Sequence, residues 1–497
     1  MIKKYFQNTA ILSVTEILLS LKGLLLIPIL TKTYGSVNYG IWAQVTVLVS
    51  LLTPIVILGL DSAVITCTSG KGEMFIKKTF SSILLFITCS GIICVCLLCI
   101  FSQQLSVLVL DSPENFQFII LAGFVLLESA LLSMCKLWYR MKDNAKVYSI
   151  INIIQAFSVA LLSAIVAFSK GNLFELILVT FLFESLLVLI ILIHIGKNQG
   201  FSYPDLSILG KLLKFGVQVL PMGYAWWILT LSNRVFIGYY DNLAAVGVFS
   251  VAYSFGYMIM SMIFGPIWTM YPPKAAELFN LKKFSEMNEL FNYSLKLALG
   301  IMIPAIAGFA LLGSAIFILL TSPEFLAGAP LVPFIALGFM FHIIGSYFVL
   351  SLGFVRKQIY GTISLFVTAG FNIILNVLLI PWLGILGAAV ALCLSFMLQM
   401  IFEIWLGNKY INFVYDWTFL YKTLFSTGIM AIVVLIVMNV LIESVLISCI
   451  IGILTYGGMM IVIRAINPQE MKILLEMLHC SDIRKYPIIR KLLGINE

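Results

Sequence analysis

Apolar runs of about twenty residues, the length a helix needs to cross roughly 30 Å of hydrocarbon, recur fourteen times between residues 9 and 463. No interval between them is long enough to hold a soluble domain. Hydrophobic residues make up 61% of the 497-residue chain and charged ones 10%, against about 45–50% and 25% in soluble domains. A chain of this pattern can only be a multi-spanning channel, transporter or intramembrane enzyme.

The runs place spans near 9–30, 43–64, 80–101, 116–135, 147–168, 173–195, 213–233, 245–268, 294–318, 330–352, 360–380, 385–406, 419–440 and 443–463. The fold class this predicts is an all-α integral membrane protein. Lys and Arg provide an independent check, because they collect in cytoplasmic loops. With the amino terminus inside, inner segments hold 26 of the 30 basic residues, outer segments hold Lys32, Lys170 and Arg234, and Lys22 alone lies within a span. One miscounted span would destroy this alternation, so both termini are expected in the cytoplasm. The net charge of +8 therefore reports topology, and nucleic acid is not an expected partner. Connections at the outer face are short, the longest being 102–115. Those at the inner face are longer, notably 271–293 and a tail from Arg464, which opens with Asn467-Pro468, a helix-start signal, and is expected on the inner leaflet as an interfacial helix. Cys89, Cys94, Cys96 and Cys99 share one apolar run with no His or carboxylate among them, which leaves no zinc pattern. Neither a metal nor any other cofactor is expected, and no Gly-rich nucleotide loop appears.

A shift of about 206–212 residues aligns the chain with itself. The segment Tyr34-Gly35-Ser36-Val37-Asn38-Tyr39-Gly40-Ile41-Trp42 resembles the segment from Tyr240 to Phe249 with one insertion, and Pro54 answers Pro266. A six-span repeat unit enters the membrane in the same sense each time, so the repeats are parallel. The expected organisation is an N-terminal six-helix lobe (1–205), a C-terminal six-helix lobe (206–407) and an appendage of two spans plus tail (408–497), with a central cavity between the lobes. Bends at Pro54 and Pro266 are expected to let the lobes rock.

Residues from Asn372 and Asn376 through Pro381, Gly384, Gly387-Ala388-Ala389 and Ala391 to Ser395 resemble the signature of the multidrug/oligosaccharidyl-lipid/polysaccharide exporter superfamily, which includes the MATE-like exporters. The segments Leu30 to Gln44 and Asn233-Arg234 to Gly238 resemble its polysaccharide transport branch, that of the Wzx-type O-antigen flippases. This resemblance covers essentially the whole chain. It implies a cell-membrane flippase that carries a polyprenyl-diphosphate-linked oligosaccharide, such as an O-antigen, lipopolysaccharide or capsule repeat unit, from the cytoplasmic to the outer leaflet. Membrane lipids and polysaccharide assembly proteins are the partners it implies. Two alternatives stand beside it: a MATE-like exporter of cationic drugs driven by H⁺ or Na⁺, and a membrane O-antigen polymerase or glycosyltransferase. The short outer loops speak against an enzyme.

Ionisable groups in mid-membrane cost at least about 2.5–3.5 kcal/mol each, so each is a functional candidate. Lys22, about 20 Å along its helix from Thr9, and Arg234, at the outer end of span 7, are candidates for the substrate diphosphate, a guanidinium being suited to phosphate by its planar fork. Glu16, Glu128 and Glu184 are candidates for a coupling proton or cation. Tyr224, Trp227, Tyr253 and Tyr257 are candidates for stacking on sugar rings. Asn372 and Asn376 continue a polar stripe with Ser364 and Thr368 and are candidates for sugar contact or for helix-to-helix hydrogen bonding.

Overall fold

The computed structural model describes residues 2–68, 71–142, 144–411, 413–441 and 444–465; of these, the side chains of 2–10, 12, 13, 16, 17, 65, 67, 199, 440 and 441 are not described. The tail expected to lie on the inner leaflet falls outside the described residues, apart from its first two positions. Every regular element among those described is helical: α1 (Ile2–Ile57), α2 (Leu60–Thr68), α3 (Glu73–Ile100), α4 (Ser102–Leu110), α5 (Phe116–Met141), α6 (Ala145–Phe168), α7 (Leu173–Gln199), α8 (Leu206–Tyr240), α9 (Leu243–Asn280), α10 (Phe284–Leu320), α11 (Leu331–Phe354), α12 (Gln358–Leu383), α13 (Ile385–Asn408), α14 (Trp417–Ile436) and α15 (Val445–Val462), with 3₁₀ turns at Pro113–Asn115 and Pro323–Gly328.

Thirteen of these helices are long and apolar enough to cross a bilayer. The first such stretch, Leu18–Ile57, has 40 residues, or about 60 Å, twice the hydrocarbon thickness. It is two passes. Gly35 interrupts α1 with φ 71° and ψ −179°, a conformation open essentially only to glycine, and the chain reverses there. The fourteen expected passes are therefore present, with a tight turn where the hydropathy pattern left residues 31–42 as a connection. The connection expected over 271–293 is also shorter: α9 runs to Asn280 and α10 starts at Phe284. Ion pairs Lys274–Glu277 (2.9 Å) and Lys283–Glu286 (2.7 Å), at helical i, i+3 spacing, let both helices continue as polar rods past the apolar stretch. The 102–115 connection is itself mostly helical, containing α4.

Proline does not act uniformly. Pro221, Pro266 and Pro304 lie inside continuous helices. Pro54 is followed by a break at Leu58 (φ 49°) and Gly59 (φ 66°), so the bend expected at the paired prolines is a break only in the second pass.

The two passes of α1 pack against α9 and α6, α3 and α7 pack against α5, α12 packs against α8 and α13, and α11 against α13; α14 and α15 pack on each other and on α10. One apolar core of buried side chains runs through both sets of six passes.

At the Gly35 end, the α1 turn meets the second set of passes through bare backbone. A methyl group at Gly40 would overlap the carbonyl of Leu243, and one at Gly247 would overlap the carbonyl of Ser36. Gly40 and Gly247 are 207 residues apart, as are Ser36 and Leu243, so the contact is reciprocal across the repeat. Glycines allow such close helix crossings because nothing separates the backbones. Polar groups complete the clasp. Glu324 accepts the Ser36 N–H at 2.7 Å, placing a carboxylate at a helix N-terminus, and Lys32 donates to the Leu319 carbonyl at 2.8 Å, placing a cation at a helix C-terminus; both match the helix dipole. At the opposite end, Gly59 and Gly216 bring α2 against α8, and the Asp205 N–H donates to Ser82 Oγ at 2.7 Å.

Candidate functional site

Polar groups concentrate in two buried regions. The first lies among α1, α5, α6 and α7. Lys136 of α5 donates to Gln155 Oε1 at 2.6 Å and Asn152 Oδ1 at 3.1 Å, both on α6. Gln155 in turn donates from Nε2 to Glu184 Oε1 on α7 at 2.8 Å. Glu128 is 4% exposed, and neither of its carboxyl oxygens has a hydrogen-bond partner; its helix α5 packs against α7, which carries Glu184. Lys22 from α1 adds a second ammonium in the electrostatic field of Glu184. Lys22 stands thirteen residues before Gly35, roughly 20 Å along the helix, so it sits in mid-span.

A cavity of about 140 Å³ opens beside this cluster, lined by Leu26, Trp42, Thr46, Ser163, Thr180 and Glu184 among others. It is well below the roughly 300–1,000 Å³ of small-molecule sites. Water and small ions fit it; an oligosaccharide does not.

The second region runs through α8, α9, α11, α12 and α13. Arg234 does not end its helix; it lies six residues before Tyr240 and is 6% exposed. Its Nε donates to Ser250 Oγ at 2.9 Å and its Nη1 to the Thr230 carbonyl at 3.2 Å. The guanidinium carbon stands 4.3 Å from the ring centroid of Tyr253, within cation–π range. Tyr253 and Tyr257 lie parallel, with centroids 6.3 Å apart and planes at 9°; Tyr257 is 46% exposed. Gln44, from the second pass of α1, donates to the backbone carbonyl of Arg234 at 3.2 Å, so this region touches the first set of passes directly.

Asn372 and Asn376 are fully buried. Asn376 donates to Asn233 Oδ1 at 2.7 Å and Asn372 Oδ1 at 2.9 Å, and Asn372 donates to Ser395 Oγ at 3.1 Å. Their amides join α8, α12 and α13 and present no surface to a ligand. Tyr224 and Trp227 also turn to protein: their polar atoms donate to the Leu51 carbonyl (3.3 Å) and Ser50 Oγ (3.1 Å) of α1, which fastens α8 to the second pass. Of the proposed coupling acids, Glu128 and Glu184 come together, while the Glu16 side chain lies outside the described ones.

Several residues of these regions escaped the reading of the sequence. Lys136 counts as a loop residue by hydropathy, yet it lies within α5. Glu403, 2% exposed, is a third deep carboxylate; it accepts from Gln399 at 2.9 Å and Ser364 at 3.4 Å. The spacing of Gln399 and Glu403, one helical turn apart, is the signal that was available.

The family model described as "Polysaccharide biosynthesis protein" matches residues 29–330, which span α1 through the clasp to the start of α11. The chain belongs to this family. A curated relative, an uncharacterized membrane protein of Methanocaldococcus jannaschii, is 27% identical over 278 residues, covering 54% of this chain and 53% of the relative; the match spans about half the length of that relative. Among solved structures, the lipid II flippase MurJ in an inward-closed conformation superposes with a TM-score of 0.74 at 18% identity, covering 95% of this chain and 100% of the other. A multidrug resistance MATE family transporter in an inward-facing conformation gives 0.62 at 14% identity over 80% of this chain and 94% of the other. A superfamily transporter from Pyrococcus furiosus, described as having a binding pocket of reversed polarity, gives 0.57 at 12% identity over 81% and 95%. The fold of this polysaccharide biosynthesis family member is thus the one shared by MurJ and the MATE transporters, in agreement with the resemblance drawn from the residues between Asn372 and Ser395. It is a multi-pass membrane protein whose solved neighbours are transporters and flippases.

Proposed function

We propose that this protein is a flippase that moves a lipid-linked oligosaccharide, carried on a polyprenyl diphosphate, from the cytoplasmic to the outer leaflet of the cell membrane. The observation that supports the reading is the meeting, on one chain, of a family model for polysaccharide biosynthesis with the fold of a lipid II flippase. In this reading the two six-pass lobes alternate between opening at one end and at the other. The distribution of Lys and Arg supports cytoplasmic termini, and in that orientation the Gly35 clasp lies at the outer face.

The polar head of such a lipid brings phosphate charge and many hydroxyls into hydrocarbon, while its tail stays among lipids. Arg234 supplies a guanidinium at the contact between lobes, and Tyr253 and Tyr257 supply parallel rings beside it, Tyr257 being 46% exposed. We assign diphosphate recognition to Arg234 and sugar stacking to Tyr257. Lys22 belongs instead with Glu128 and Glu184, which bind the coupling proton or cation. Asn372, Asn376, Tyr224 and Trp227 hold helices in place.

The test is reconstitution. Proteoliposomes are loaded on one leaflet with a polyprenyl-diphosphate oligosaccharide or, in parallel, with a cationic dye. Passage of the lipid without efflux of the dye supports the flippase. Efflux of the dye without passage of any lipid in a panel of sugars replaces it with the MATE-like drug exporter.

A further inference from the structure

Oxygen atoms that converge inside a membrane protein are a seat for a cation, and the first six passes contain one. Asn152 Oδ1 and Gln155 Oε1 converge from α6 on a single point at 3.1 and 2.6 Å. The carboxyl of Glu184 is one hydrogen bond further on, and Glu128 is buried beside it with neither oxygen reached by a donor group. Hard oxygen ligands with negative charge behind them are what a small cation asks for. The point is filled by the chain itself. Lys136 Nζ occupies it, and an ammonium has three donors and no acceptor, so it meets carbonyl oxygens in the way an alkali ion would. Helix side chains tilt toward the N-terminus, which carries this ammonium from near the end of α5 back toward the level of Glu128.

We propose that Lys136 is a tethered ammonium seated where a monovalent metal ion would otherwise bind, so that the first lobe exchanges protons and is closed to Na⁺ and K⁺. A proton needs no vacant ligand shell; it needs one atom, and the buried Glu128 carboxyl, with no donor group at either oxygen, offers one. A metal ion needs the oxygens that Lys136 already holds. The titratable groups facing the seat are Lys22 from α1, Glu128, Cys135 and Lys136 from α5, and Glu184 from α7; among those facing it, α6 contributes the amides of Asn152 and Gln155. For transport, the consequence rests on the reading of Glu128 and Glu184 as the coupling pair. The seat itself does not depend on that reading.

The experiment therefore uses no transport substrate. The full chain in nanodiscs is melted in NaCl, KCl, ammonium chloride or choline chloride at one ionic strength, as wild type and as Lys136→Ala. The wild type is expected to melt at the same temperature in all four salts. The variant is expected to melt lower in choline and to recover saturably with Na⁺, K⁺ or ammonium, and to lose that recovery when Glu184→Gln is added. If Lys136→Ala does not fold, Lys136→Ser, which also leaves the seat empty, is put through the same series. A saturable Na⁺ stabilisation of the wild type, or a folded variant indifferent to all four cations, overturns the proposal. Should neither variant fold, the wild-type series decides it. Failure of the flippase assay with this ion series intact would remove the transport reading and leave the seat.

Discussion

The ammonium of Lys136 lies 2.6 Å from the side-chain oxygen of Gln155, and through that amide a cation on α5 is linked to a carboxylate on α7. The relay uses each amide atom in its own sense, the oxygen accepting from Lys136 and the nitrogen donating to Glu184. Replacing Gln155 with Glu would keep the acceptor and remove the donor, pressing a carboxylate against Glu184.

Gln155→Glu is accordingly expected to weaken the protein more than Gln155→Ala, since like charges in a low-dielectric site repel strongly. Thermal melting of the two variants in detergent checks the order; the opposite order would mean that pairing of the new carboxylate with Lys136 outweighs its repulsion from Glu184.

Glu128→Gln and Glu184→Gln are expected to uncouple transport from an imposed pH gradient while leaving downhill passage of the lipid in place. Flux in proteoliposomes, with and without the gradient, measures this. An unchanged response in both variants would remove these carboxyls from the coupling step.

Gly40→Ala and Gly247→Ala each drive a methyl group into a backbone carbonyl of the other lobe. Each is expected to destabilise the closed Gly35 end by about 1–3 kcal/mol, the usual cost of overpacking, and the two should produce similar openings because the contacts are reciprocal. Spin labels at Val37→Cys and Leu326→Cys, on residues 51% and 39% exposed, read the separation. A shift in one variant alone would break the symmetry argument.

The clasp is also expected to depend on pH. The Ser36 hydroxyl, and after it the Ser36 backbone N–H, hold the Glu324 carboxyl below the usual carboxylate range. A depressed value means that the closed state favours the ionised form. The contribution of Glu324 is then fully present above the value of a free glutamate, about 4.3, and is lost as pH falls through the lowered value. The label distance should hold from neutral pH down to the free-glutamate value and broaden below it, whereas Glu324→Gln should show the broad distribution at every pH. Because the carboxylate is exposed, the effect will be small and screened by salt.

Much of the fold was legible in the sequence because one force dominates it. Twenty-residue apolar runs can only be spans, and Lys and Arg alternate with them, so the number of passes follows. The reciprocal contact at Gly40 and Gly247 was half legible: the repeat pairs the two glycines, but nothing in a linear comparison says that they touch. Glu128 and Glu184 stood out because they are charges in the middle of apolar runs. Lys136 did not, since its backbone lies five residues from the end of α5, and only the tilt of helix side chains carries its charge inward. Glu403 was hidden for the same reason, lying three residues before the boundary drawn at 406. Glu324 lies 288 residues from Ser36, and only the folded chain brings them together. Asn372 and Asn376 were legible as a stripe; whether a polar stripe faces a ligand or another helix depends on neighbours that no local pattern specifies.

The most direct test of the alternating-access account is a reversible lock on the clasp. Ser36→Cys and Glu324→Cys place thiols at a pair already in contact, and transport of a polyprenyl-diphosphate oligosaccharide is measured in proteoliposomes before oxidation, after it, and after reduction. The account predicts that flux stops when the Gly35 end is crosslinked and returns on reduction. Undiminished flux through the crosslinked protein would contradict it.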